Sequence, residues 1–90
     1  MISIIVPVFN EERFIQKFLH FITKNCKYKY ELILVDGRSE DKTIHIINDY
    51  INEYNARNFI LIDNPNRYVS YSLNKAIDIC KYEIIIRMDV

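Results

Sequence analysis

The chain of 90 residues contains one glycine, two prolines and two cysteines, and each scarcity removes a class of function. A dinucleotide-binding G-x-G-x-x-G turn or a phosphate-cradling P-loop needs several glycines, so that backbone amides can approach the phosphates. Here the turn after the first apolar run reads Phe9-Asn10-Glu11-Glu12, with no glycine and two carboxylates. Cys26 and Cys80 stand far apart and outside any CxxC or Cys/His spacing, which argues against a zinc site or a redox pair and for two reduced thiols in a cytoplasmic protein. Formal net charge is zero, with twelve basic and twelve acidic side chains, so nothing in the balance calls for nucleic acid or an anionic membrane as partner. Met1 runs straight into Ile2-Ser3-Ile4-Ile5-Val6 without a basic segment or cleavage site, and no apolar stretch approaches the roughly 20 residues of a membrane-spanning helix.

What is abundant is hydrophobic: half of the residues, spread along the whole length, which excludes intrinsic disorder. Ninety residues make one small domain that buries roughly 60 to 65% of its unfolded surface. No internal repeat or linker marks a boundary. Three apolar runs each end at acidic residues: Ile2 to Val8 before Asn10-Glu11-Glu12, Leu32 to Val35 before Asp36, and Ile84 to Met88 before Asp89. Such runs read as buried parallel strands, and ligands of open α/β sheets gather outside the carboxyl ends of the strands.

Between the strands the periodicity is helical. Phe14, Ile15, Phe18, Leu19 and Ile22 draw one apolar stripe on a helix to about Lys24, with Asn10 predicted as its N-cap and Glu11 and Glu12 in its first turn. Strands are predicted over Ile2 to Phe9, Tyr30 to Val35, Phe59 to Ile62 and Glu83 to Asp89, with Pro7 near the end of the first, where a lost donor costs least. Ser39 or Asp41 is expected to cap a second helix bearing Ile44, Ile47, Ile51 and Tyr54, and Ser70 a third bearing Leu73, Ala76, Ile77 and Cys80. Gly37, the sole glycine, marks the turn expected to need a positive φ or a close approach by a ligand. The order βαβαβαβ implies a Rossmann-like, doubly wound parallel sheet with helices on both faces.

Three motifs in order, Val6-Pro7-Val8-Phe9-Asn10-Glu11-Glu12, Leu34-Val35-Asp36-Gly37-Arg38-Ser39-Glu40-Asp41 and Ile84-Ile85-Ile86-Arg87-Met88-Asp89, span essentially the whole chain. Together they resemble the amino-terminal, nucleotide-sugar-binding half of family 2 glycosyltransferases, enzymes of the GT-A fold, and most nearly the members that build bacterial surface or exopolysaccharides. The resemblance implies a single partial domain over 1–90, a truncated GT-A fold without the acceptor half. In the family, Pro7 to Glu11 would line the nucleotide pocket, with Phe9 against the base; core packing is the alternative for Phe9, and a place in the first helical turn the alternative for Glu11. Asp36 matches the first acid of the V-D-D-G-S turn, whereas Gly37 stands where the second acid reads uracil, so the resemblance assigns no uridine specificity. Either Asp36 takes over the base contact or backbone groups hold the base. Ser39 and Asp41 also match that motif.

Arg67, Asn74 and Lys75 fall in the segment that passes the diphosphate; Leu73 replaces the family's Arg, and a solvated helix face suffices for Lys75. Asp89 matches the first acid of the D-x-D element that holds Mg²⁺ or Mn²⁺ against the diphosphate. Arg87 pairs either with a strand-end carboxylate or with phosphate. Implied partners are a nucleoside-diphosphate-sugar donor and a carbohydrate or lipid-linked acceptor, in the cytoplasm or at the cytoplasmic face of a membrane. The implied reaction inverts the anomeric carbon; its general base lies beyond residue 90, so little or no activity is expected from these residues alone. His20 and His45 carry no catalytic expectation, and the tyrosines at 28, 30, 50, 54 and 82 read as packing. Other classes remain: a non-catalytic remnant or interaction domain, and a receiver or flavodoxin-like module. Asp63 suits a receiver's phospho-acceptor, but a fifth strand is missing, and the first turn is not the Ser/Thr/Gly-rich one of a flavodoxin. The fourth strand, left as an edge, is expected to promote self-association.

Overall fold

The computed structural model describes residues 1–66 and 68–90, with the backbone alone at position 69. The elements follow the predicted alternation: β1 Ile2–Val8, α1 Ile15–Asn25, β2 Tyr30–Asp36, α2 Thr43–Tyr54, β3 Phe59–Asp63, α3 Val69–Ile79 and β4 Ile84–Arg87. All pairings are parallel, in the order β3-β2-β1-β4. The two central strands are therefore β1 and β2. The near-continuous apolar sequence of each is explained by cover on both faces.

On one face α1 and α2 pack over Ile4, Val6, Val8, Leu32 and Leu34 through Ile15, Leu19, Ile22, Ile47 and Tyr50. On the other, α3 covers Ile5, Ile33 and Val35 with Ala76. The period-2 alternation along β1 thus sends even residues to one layer and Ile5 to the other. This is the doubly wound architecture that the sequence predicts. Tyr50, 4% exposed, stacks on Phe59 at 5.8 Å and shares a 2.9 Å hydrogen bond with the Thr23 hydroxyl, so the packing role expected of it holds. His20 lies edge-on to Tyr50 and Tyr54.

Three local expectations are corrected. Asn10 does not cap α1; its φ is 51°, the chain turns through Glu11 to Phe14, and the helix begins only at Ile15. The positive φ of the second turn belongs to Arg38, at 63°, and not to Gly37. Gly37 is buried and donates its N–H to the Val8 carbonyl at 2.9 Å, continuing the sheet by one residue before the turn bends. For α3, Ser70 supplies no side-chain cap; the N-cap position is Tyr68. Asp41 does serve the start of α2, accepting from the Thr43 amide at 2.9 Å and the Thr43 hydroxyl at 2.5 Å.

Pro7 explains where the β1–β4 ladder stops. Met88 donates to the Ile5 carbonyl and Gly37 to the Val8 carbonyl, so odd residues of β1 face β4 and even ones face β2. Pro7 has no N–H to offer toward β4, and the register between these strands ends at Ile5 with Arg87. The chains part there, leaving a crevice at the carboxyl end. No helix among the described residues is long and apolar enough to cross a membrane.

Candidate functional site

The first and second turns are stitched together by hydrogen bonds between residues about thirty positions apart. The Asn10 amide donates to the Ser39 hydroxyl at 2.9 Å, and the Glu40 amide donates to the Asn10 side-chain carbonyl at 2.7 Å. The Glu11 amide reaches the Thr43 hydroxyl at 2.8 Å, the Glu12 amide the Asp41 carboxylate at 3.2 Å, and the Lys42 amide the Glu12 carboxylate at 3.3 Å. Behind them Asp36, 1% exposed, accepts from the Ser39 amide at 3.0 Å and the Ser39 hydroxyl at 2.5 Å. Asp36, Ser39 and Asn10 form one relay from the end of β2 to the first turn. Burial raises the Asp41 carboxyl, but the Thr43 hydroxyl and the amides of Thr43 and Glu12 outweigh it and hold the group below its ordinary value.

Several strand-end carboxylates are therefore committed to backbone amides. What remains accessible is sorted by the Pro7 crevice, a cavity of about 180 Å³ lined by Pro7, Phe9, Glu11, Ser72, Arg87 and Asp89. Arg87 contacts a single oxygen of Asp89 from both Nε (3.3 Å) and Nη2 (3.1 Å), so the pairing expected of this arginine is made and the second Asp89 oxygen stays outside it. Four of the sequence-predicted residues, Pro7, Phe9, Glu11 and Asp89, thus share one cavity. Asn74 is not among them; it lines a separate pocket with Asn64, Tyr71 and Lys75. Lys75 is engaged, its ammonium donating to the Asp63 carbonyl at 2.6 Å, while Arg38 pairs with the Asp63 carboxylate at 3.3 Å. Asp36 reaches neither cavity's lining, and Arg67 lies outside the described residues.

Asn64 was not anticipated. It is 2% exposed, donates to the Ser72 hydroxyl at 2.8 Å and the Tyr68 carbonyl at 3.2 Å, and through its amide reaches the Asp36 carbonyl at 2.7 Å. This side chain fixes the start of α3 against the end of β2, and hence where Ser72 meets the cavity. In the sequence it reads as an ordinary turn residue before Pro65.

For a divalent cation, the cavity offers the uncommitted oxygen of Asp89 and the carboxylate of Glu11. No group of three His, Cys, Asp or Glu among the described residues is placed to hold an ion. Hard oxygen donors in this number fit a cation completed by a ligand's phosphates, not an all-protein cage.

The sequence profile of glycosyl transferase family 2 matches residues 3–90. The chain belongs to that family. Among its relatives, a dolichyl N-acetyl-alpha-D-glucosaminyl phosphate 3-beta-D-2,3-diacetamido-2,3-dideoxy-beta-D-glucuronosyltransferase of Methanococcus voltae is 38% identical over 78 residues, covering 84% of this chain and 24% of the relative. Mannosyltransferase PcManGT of Pyrobaculum calidifontis, solved in complex with GDP-Man and Mn²⁺, superposes with a TM-score of 0.90 at 25% identity, over 98% of this chain and 26% of that one. TarS 1-349 of Staphylococcus aureus in complex with UDP superposes at 0.84 and 25% identity, with the same coverage. The family 2 chain spans between 10 and 32% of the length of the curated relatives it matches. The GT-A architecture expected from the three motifs is met over these ninety residues.

Proposed function

We propose that this family 2 chain binds the nucleoside-diphosphate end of an activated sugar, as the donor half of an inverting, metal-dependent glycosyltransferase of polysaccharide biosynthesis. The observation that carries the reading is the Pro7 cavity, which brings Phe9, Glu11 and Asp89 together at the carboxyl end of the sheet in a member of that family.

Each residue has a physical role in that reading. Phe9 offers an aromatic face at the rim, 41% exposed, for stacking a base without reading its identity. Asp89, steadied by Arg87, would hold Mg²⁺ or Mn²⁺ through its free oxygen, with Glu11 opposite. Such a cation, when bound, screens the diphosphate and stabilises it as a leaving group. Asn74, in a separate pocket on α3, and Arg67 are the polar candidates of the segment that passes the diphosphate in the family. Asp36 acts as a positioning residue, holding Ser39 and thereby the Asn10 to Glu11 turn. The Gly37 position leaves the second turn without the acid that reads uracil in the family, so base selectivity falls to stacking and backbone contacts.

In the full reaction an acceptor hydroxyl, on a carbohydrate or a lipid-linked sugar, displaces the nucleoside diphosphate from the anomeric carbon, and a carboxylate takes its proton. By the family resemblance that base belongs to sequence beyond residue 90, so the ninety residues bind donor and do not transfer it. Two free cysteines accord with a cytoplasmic setting.

Calorimetry with UDP and GDP, with and without Mn²⁺, tests the reading on wild type and Asp89→Ala. The expected result is binding that requires Mn²⁺ and weakens at least tenfold in the variant, about 1.4 kcal/mol. Failure of both nucleotides to bind, or equal binding by the variant, overturns it.

A further inference from the structure

Helix α3 meets the Pro7 cavity at a residue outside the three motifs. Leu73 packs toward Ile5, Ile33 and Val35, Asn74 lines a separate pocket, and Lys75 donates to the Asp63 carbonyl at 2.6 Å. Among the described side chains of α3, Ser72 is the one that lines the cavity holding Phe9, Glu11 and Asp89, and it is 3% exposed.

Hydrogen bonding around Ser72 leaves one proton without an acceptor. The Asn64 side-chain carbonyl accepts from the Asn66 amide at 3.3 Å and its Nδ2 donates to the Tyr68 carbonyl at 3.2 Å, which together fix the orientation of the Asn64 amide. The same Nδ2 donates to Ser72 Oγ at 2.8 Å. An amide nitrogen only donates, so the serine oxygen is the acceptor in this pair and keeps its own O–H. One turn back, the carbonyl that a helical serine ordinarily uses is that of Tyr68. It already takes the Ser72 amide at 3.1 Å and Asn64 Nδ2, which fills both of its lone pairs. The proton is left to the cavity.

We infer that Ser72 is the neutral hydrogen-bond donor of the donor site, and that its O–H is given to an oxygen of the bound diphosphate; the inference rests on the nucleoside-diphosphate reading above. The other polar groups of the cavity fit that division. Glu11 and Asp89 are acceptors when ionised, and Arg87 turns Nε and Nη2 to Asp89. Ligand groups that carry O–H or N–H can pair with those carboxylates, whereas a diphosphate brings acceptors and needs either a cation or a donor. Ser72 is that donor. The bond it receives from Asn64 polarises its O–H, and burial strengthens what it gives. Leu73, standing where the family has Arg, is turned into the core, and the position before it supplies a donor in its place.

Calorimetry in Mn²⁺ with UDP and with inorganic pyrophosphate tests the assignment on wild type, Ser72→Ala and Ser72→Cys, with circular dichroism checking that each variant keeps its fold. Ser72→Ala should weaken both ligands about tenfold, the effect of losing one hydrogen bond to a charged group. Ser72→Cys fills the space but donates weakly, so it should stay near the alanine variant. The assignment is overturned by a Ser72→Ala affinity within about twofold of wild type, by a loss confined to UDP, by a cysteine variant as tight as wild type, or by a wild type that binds UDP and not pyrophosphate. A wild type that binds neither ligand overturns the nucleoside-diphosphate reading itself, and the role of Ser72 with it.

Discussion

Replacing Asp36 with alanine separates two roles that the same residue is able to fill. If Asp36 holds the second turn, its loss removes two hydrogen bonds to a carboxylate, from the Ser39 amide and the Ser39 hydroxyl, at a position 1% exposed. Hydrogen bonds to charged groups contribute about 1.5 to 3 kcal/mol each, and half-buried Ser39 recovers part of that from water, which leaves a cost of about 3 kcal/mol. With an unfolding entropy of about 2.1 cal/mol/K per residue, a chain of this length loses about 5 °C of Tm per kcal/mol, hence about 15 °C for Asp36→Ala. Thermal unfolding by circular dichroism reads this directly. Ser39→Ala should cost less, about 1 kcal/mol, and the double variant should cost little more than Asp36→Ala alone, short of additivity by up to about 1 kcal/mol, because both changes break one unit. A Tm within about 5 °C of wild type, coupled to a large loss of nucleotide affinity, would refute the positioning role and make Asp36 a direct ligand contact.

Two further outcomes follow from the same geometry. Phe9→Leu keeps apolar bulk and removes the π-face, so nucleoside diphosphate affinity by calorimetry should fall about tenfold, with UDP and GDP affected alike; an unchanged affinity would assign Phe9 to packing. Asp41 has a folded pKa held below its unfolded value, so its stabilisation is present above the ordinary 3.8 and is lost as pH falls through the depressed folded value. The urea midpoint of wild type should therefore exceed that of Asp41→Asn at pH 6, and the gap should close in acid; a gap independent of pH would refute it.

How far the sequence reaches can be judged from β1 and its turn. The run Ile2 to Val8 specifies a strand buried on both faces, and Pro7 within it marks the place where pairing fails; the structure gives both consequences. The helical stripe of α1 was equally legible, and Ile15, Leu19 and Ile22 are the buried positions. The start of α1 was not. An Asn before two acids has the local signature of an N-cap, but Asn10 is drawn off by Ser39 and Glu40, about thirty residues away. Glycine in the second turn carried a similar false cue. Gly37 continues the sheet, and the left-handed strain passes to Arg38, whose neighbours Asp36 and Ser39 are locked together.

By itself, the sequence determined the element order, the parallel sheet with helices on both faces, the placement of acids at strand ends, and the family. These depend on local periodicity and on motifs carried whole within single turns. Only the tertiary structure decided which acids stay available. Asp36 is consumed by the amide and hydroxyl of Ser39 in its own turn, and Asp41 by Thr43 and by the Glu12 amide brought from the first turn, whereas Asp89 and Glu11 face a cavity that opens where Pro7 withholds a donor. The physical reason is that a carboxylate's chemistry is set by what else competes for its oxygens, and the turn conformation and the packing of one turn on the other, which settle that competition, are fixed only in the folded chain.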